Sequence, residues 1–141
     1  MLLMELHKSK WSIYAVATLL RDGSHGTCMD DAPGERRTDL YGLSAILEHA
    51  AEQNQGPKAL GNSICHQVDD NNEIWQISKG RLRLLWFYGH GGKIIICCNL
   101  HLKKKQKANA AEVENAIRMR ERYFSAVNDG SIVFVDDDEE Q

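Results

Sequence analysis

The sequence predicts an α+β domain built on one central, mostly antiparallel sheet of four to five strands packed against two to three helices. Residues 73 to 102 hold three strand-like runs back to back, EIWQIS, RLRLLWFY and KIIICCNLHL, separated by turns at Lys79-Gly80 and Gly89 to Gly92. Apolar residues recur at helical spacing in two further stretches, Leu40-Leu43-Leu47-Ala50 and Val113-Ala116-Ile117 with Tyr123, Phe124 and Val127. The chain has 141 residues, 43% of them apolar and 26% charged, a globular composition at the length of one domain.

Taken in order, MLLMELHKSK followed by WSIYAVATLL imitates a secretory leader. Glu5 stands in the would-be charged region, however, and the small-x-small triplet Ala15-Val16-Ala17 follows only four apolar residues, so a cytoplasmic chain is expected. Cys28, Cys65, Cys97 and Cys98 then read as reduced thiols. No apolar run approaches the roughly 18 residues that would cross a bilayer, and no membrane partner is expected. Trp11 to Leu20 is rich in β-branched and aromatic residues and reads as a strand. Residues 21 to 37, with three glycines and a proline, read as a polar loop. Thr38 is placed to cap a helix that Gly56-Pro57 ends. A short strand is expected near Ile64 to Val68, before the three-strand meander.

Asn109 with Glu112 three residues later has the pattern of a capping box, and the helix behind it stops at Asn128 to Gly130. SIVFV, residues 131 to 135, follows as a further strand. The domain is thus expected over 1 to 135. Asp136 to Glu140 reads DDDEE, a run that cannot pack in a core and is expected to be disordered as a tail over 136 to 141.

Charge is segregated along the chain. The formal net charge is -3, yet without the five tail acids 17 basic residues face 15 acidic ones. From Lys79 to Lys107 there are eight Lys and Arg and no Asp or Glu, four of the lysines falling within Lys103 to Lys107. Alternation puts Arg81 and Arg83 on one face of their strand. In the next strand it puts Asn99, His101 and Lys103 on one face, with Ile96, Cys98, Leu100 and Leu102 on the other. The meander then reads as a half-covered sheet, one face oily and one able to cradle a polyanion. Hairpin register decides whether both arginines and His101 lie on the same side. Such a set suits metal-independent RNA cleavage, in which a 2′-hydroxyl attacks the adjacent phosphate. Arginine supplies forked donors for phosphate oxygens, His101 titrates near neutrality, and neighbouring like charges lower a lysine pKa. Cys97 and Cys98 face opposite ways on a strand and read as core residues rather than metal ligands. No metal and no cofactor is expected.

The run from Glu73 to Phe124 resembles the RelE/ParE superfamily of toxins from toxin–antitoxin systems, specifically its phage-derived HigB-like branch. The likeness rests on Arg83-Leu84-Leu85-Trp86-Phe87, on Lys103-Lys104-Lys105-Gln106-Lys107, and on Ala116 to Arg120 with Tyr123. It departs where the family's E-L-R arginine should stand, since this chain has Gln76-Ile77-Ser78. His101 replaces a usual aromatic, and residues 21 to 37 form a loop insertion where a first helix is usual. The resemblance implies a RelE-like fold and a cytoplasmic toxin that cleaves mRNA, usually on the ribosome, and is silenced by a helix-turn-helix antitoxin encoded nearby. Taken with the charge reading, it gives Arg83, Arg81, His101 and Lys104 as the expected catalytic residues, His101 from its own chemistry, and Lys79, Lys103, Lys105 and Lys107 as RNA-binding ones. A gyrase poison of the ParE kind and a non-catalytic module that binds nucleic acid or an antitoxin-like partner are the alternatives.

Overall fold

The structure is a computed structural model and describes residues 1–104 and 109–135. Lys105, Lys107 and the acidic tail over 136 to 141 lie outside the described residues. In chain order the elements are strands β1 (Leu2–Lys8), β2 (Ser12–Leu19) and β3 (His25–Thr27), helix α1 (Arg37–Glu52), strands β4 (Cys65–Asp69), β5 (Ile74–Lys79), β6 (Leu82–Tyr88) and β7 (Ile94–Leu102), helix α2 (Ala110–Asp129) and strand β8 (Val133–Val135). Three 3-10 turns, Cys28–Asp31, Gly34–Arg36 and Gly56–Leu60, link them.

The α+β class holds, but the expected RelE-like sheet of four to five mostly antiparallel strands does not. The described strands number eight and form one mixed sheet in the order β4-β5-β6-β7-β2-β1-β8, with β3 paired to β2. Two pairings are parallel, β2 with β7 and β1 with β8, and each joins strands that a helix separates in sequence. Two strands account for much of the difference. β1 is apolar on both faces, so it shows no alternation, and it is held between β2 and β8. β3 lies within the expected 21–37 loop and is a strand only because Ala17 to Leu19 pair with it. There are two α-helices among the described residues, one on each face of the sheet.

α1 buries Leu43 and Leu47 against Ile13, Ile77, Leu84 and Trp86 on one face. α2 buries Ala116 and Tyr123 against Leu3, Leu85, Phe87 and Ile96 on the other. The expectation of a half-covered sheet is therefore wrong: the meander is oily on both sides, and polar groups reach solvent only at its ends. Cys97 packs in the α1 cluster and Cys98 in the α2 cluster. All four thiols are buried, and burial pushes Cys28 to about 12 and Cys65 to about 11. No described helix is long and apolar enough to cross a membrane.

The helix ends differ in how they are capped. α1 begins at Arg37 behind Arg36, which makes no side-chain cap bond, so Thr38 is not its cap. The helix stops at Glu52, and Gly56-Pro57 opens a 3-10 turn instead of ending it. α2 begins at the expected cap residue, but only half of the capping box forms: Asn109 Oδ1 accepts from the backbone N–H groups of Ala111 and Glu112, while the Glu112 side chain bonds Asn99 instead. Gly130, left-handed at φ 72, closes it. Asn109→Ala is expected to cost about 1 kcal/mol of stability, the usual value of such a cap, measured as a lower denaturation midpoint at unchanged slope.

Candidate nucleic-acid site at the start of helix α2

β5 and β6 are joined by the two-residue turn Gly80-Arg81, and β6 and β7 pair so that Arg83 lies directly opposite His101. On its other side Arg83 faces Ser78 across β5. Ser78, Arg83 and His101 thus form one cross-strand row, with neighbouring side chains about 4.5–5.5 Å apart at Cβ. The row lies on the α2 face, beyond the end of the packed core, where α2 begins.

A bulge decides which face the histidine takes. The β6–β7 register slips between Leu85, opposite Asn99, and Trp86, opposite Cys97, leaving Cys98 as an extra residue on β7. Strict alternation separates Cys98 from Asn99. The bulge instead brings Ile96, Cys98, Asn99 and His101 to the α2 side and leaves Leu100 and Leu102 on the α1 side. Cys98 Sγ donates to the Leu85 carbonyl at 3.1 Å within the slip.

Around the row the polar contacts are specific. Arg83 Nη1 donates to the Gly80 and Leu82 carbonyls at 2.8 Å each, which ties the guanidinium to the turn. Burial pushes its pKa down, though a guanidinium stays charged at any physiological pH. Asn99 Nδ2 donates to Glu112 Oε1 at 2.8 Å and to the Glu112 carbonyl at 3.2 Å. Glu112 Oε1 lies 3.9 Å from His101 Nδ1, and the histidine side chain is only 11% exposed. Burial lowers the His101 pKa; the Glu112 carboxylate opposes that, and the Arg83 charge adds to it.

A pocket of about 250 Å³ opens beside the histidine, lined by Asp31, Pro33, Leu100, His101, Lys104 and Glu112 among others. Asp31 ends the first 3-10 turn and Pro33 follows it; Thr27 caps that turn and Asp30 braces it by accepting the Thr27 N–H. The Asp31 pKa is raised by burial, then by the charges of Asp30 and Glu112. The stretch from Lys79 to Lys107 carries no acid in sequence, yet folding brings two carboxylates to its pocket.

The other expected site residues separate. Arg81 stands in the turn rather than on β6; its Nη2 donates to the Lys103 carbonyl at 2.8 Å, and the Lys103 N–H donates to the Arg81 carbonyl at 2.7 Å. It braces the segment that carries the lysines. Lys79 is on the opposite face of the sheet. Its stem passes over Gly42 of α1, so close that a β-carbon there would lie 2.6 Å from Lys79 Cε. Lys104 is exposed at the pocket. Lys105 and Lys107 lie outside the described residues. Sequence reading missed Asn99, Glu112 and Asp31 as site residues. Glu112 has the spacing of half a capping box, alternation put Asn99 on the His101 face without giving it a role, and Asp31 had no local signal. Among the described residues no group of three or more His, Cys, Asp or Glu side chains has the arrangement of a metal site. No protein-family model matches the chain, and no curated protein is significantly similar to it.

Proposed function

We propose that the chain is the toxin of a type II toxin–antitoxin system and an mRNA endoribonuclease that works on ribosome-bound mRNA without a metal. The observation that supports this best is the register that sets Arg83 opposite His101 beside a pocket reached by Lys104. A second support is the resemblance of residues 73 to 124 to RelE/ParE toxins, which is carried by the same Arg83 and lysines and is not shared by the eight-stranded sheet. In this reading His101 takes the proton of a ribose 2′-hydroxyl, whose oxygen attacks the adjacent phosphorus. The bond from phosphorus to the 5′ oxygen breaks, leaving a 2′,3′-cyclic phosphate. Lys104 delivers a proton to the departing 5′ oxygen, and the Arg83 guanidinium holds the non-bridging oxygens as charge builds on them. Arg81 keeps the lysine segment in place, and Lys103 with Lys104 contacts the RNA backbone. The protein works in the cytoplasm, and its partners are mRNA, the ribosome and a helix-turn-helix antitoxin.

Expression alone in bacteria is expected to arrest growth, relieved by co-expression of the neighbouring small reading frame. Primer extension should find new 5′ ends inside coding regions. Arrest with intact mRNA and broken chromosomes would instead indicate gyrase poisoning. A binding module without catalysis draws its support from Ser78, which stands where the toxins carry an arginine; growth without any phenotype would favour it.

A further inference from the structure

We propose that Glu112 is a positioning residue for His101: its carboxylate, held by the Asn99 amide, keeps the imidazole proton on Nδ1 and leaves the Nε2 lone pair to act as the base. The inference rests on the reading of His101 as the proton carrier, and extends it to the atom that carries the proton.

Glu112 occupies the third position of α2, where a glutamate ordinarily reaches back to the backbone N–H of the cap residue. Here its Oε1 instead accepts from Asn99 Nδ2 at 2.8 Å and lies toward the histidine. The cap itself is satisfied without it, because Asn109 Oδ1 takes the first free N–H groups. Helix capping therefore does not explain where this carboxylate points. Asn99 grips Glu112 at two places, side chain and main-chain carbonyl, which fixes the first turn of α2 against β7.

His101 Nδ1 is buried and, among the described residues, has no hydrogen-bond partner. Glu112 Oε1 at 3.9 Å is beyond hydrogen-bond length but well within the range at which a carboxylate biases a proton. An anion on that side favours hydrogen on Nδ1 and stabilises the imidazolium once Nε2 has taken a second proton. The same logic orients the histidine of acyl-transfer triads, where a carboxylate fixes the tautomer without itself being protonated. The other charged groups around the ring act differently. Arg83, across the strand pair, opposes the imidazolium. Asp31 and Lys104, which line the same pocket, add a negative and a positive charge to it.

Nitrogen-15 NMR of the His101 ring tests this directly. The wild-type neutral ring should be protonated at Nδ1. Glu112→Ala should move the proton to Nε2 and lower the His101 pKa. Glu112→Gln keeps the shape but removes the charge, and at 3.9 Å it offers no hydrogen bond, so it should weaken the Nδ1 preference and lower the pKa as well. Asn99→Ala should shift the pKa in the same direction by less. In cleavage assays Glu112→Ala should reduce the rate about tenfold or more, a part of the roughly 10²–10⁴ that general-base catalysis contributes. An unchanged tautomer and pKa in Glu112→Ala, with a folded spectrum, would overturn the proposal and leave Glu112 a helix-start residue. A tautomer that reverses in a protein that never cleaves RNA upholds the positioning and removes the nuclease reading alone.

Discussion

Arg83→Ala is expected to lower RNA cleavage by about 10²–10³-fold while changing RNA affinity little. A positioned cation that meets charge as it develops acts on the rate, and single groups of this kind are commonly worth that factor. The guanidinium is prepared for the role by its two bonds to the Gly80 and Leu82 carbonyls, which hold one arm of the fork still before substrate arrives. Arg83→Lys keeps the charge but loses the planar fork, so its rate should fall between those of wild type and alanine. Lys104→Ala removes the proposed proton donor and should lower the rate as well, but unlike Arg83→Ala it should also change affinity. It should weaken binding and reduce the salt slope by about 0.7, one phosphate contact on a single strand. Equal, small effects from Arg83→Ala and Lys104→Ala, measured under single-turnover conditions at two salt concentrations, would argue against a catalytic role for this end of the sheet.

His101→Gln is expected to lower the cleavage rate by about 10²–10⁴-fold and to remove the acid limb of its pH profile. Burial, the largest influence on the ring, lowers the His101 pKa, so the acid limb of the wild-type profile should lie below the ordinary histidine value of about 6.5. Stability follows with a definite sign. The unfolded chain binds this proton more readily than the folded one, so the associated stability is fully present above about pH 6.5. It is lost as pH falls through that value toward the lower folded-state pKa. His101→Gln should therefore flatten the acid side of the stability curve as well as that of the rate. Thermal melts and single-turnover rates over the same pH series measure both. A variant with wild-type rates and an intact acid limb would show that another group carries the proton.

The positions of most elements were legible in the sequence because they depend on neighbours close along the chain. The runs that became β2, β5, β6 and β7 were marked by branched and aromatic residues between glycine turns. The face of α2 followed from its 3.6-residue period, and its start followed from Asn109, a residue whose short side chain caps locally. The segregation of cationic residues between Lys79 and Lys107 was likewise plain from the chain alone.

What surrounds those cations was decided only by tertiary structure. Alternation predicts a face correctly until a strand gains a residue, and the bulge at Cys98 depends on pairing with β6, which no local pattern announces. Lys79, four residues from Arg83 in sequence, pairs with Leu82 across the β5–β6 turn and so lies on the far side of the sheet over Gly42. β1 and β3 exist because β2, β8 and each other's neighbours hydrogen-bond to them, so their own residues carried little signal. Asp31 and Glu112 come from segments on either side of the meander and meet His101 only once β7 and α2 have docked. Most strands, both helices and the concentration of positive charge are properties of adjacent residues and could be read from the chain alone. Which carboxylates meet that charge, and which face the histidine takes, follow from register and docking between residues far apart in the chain.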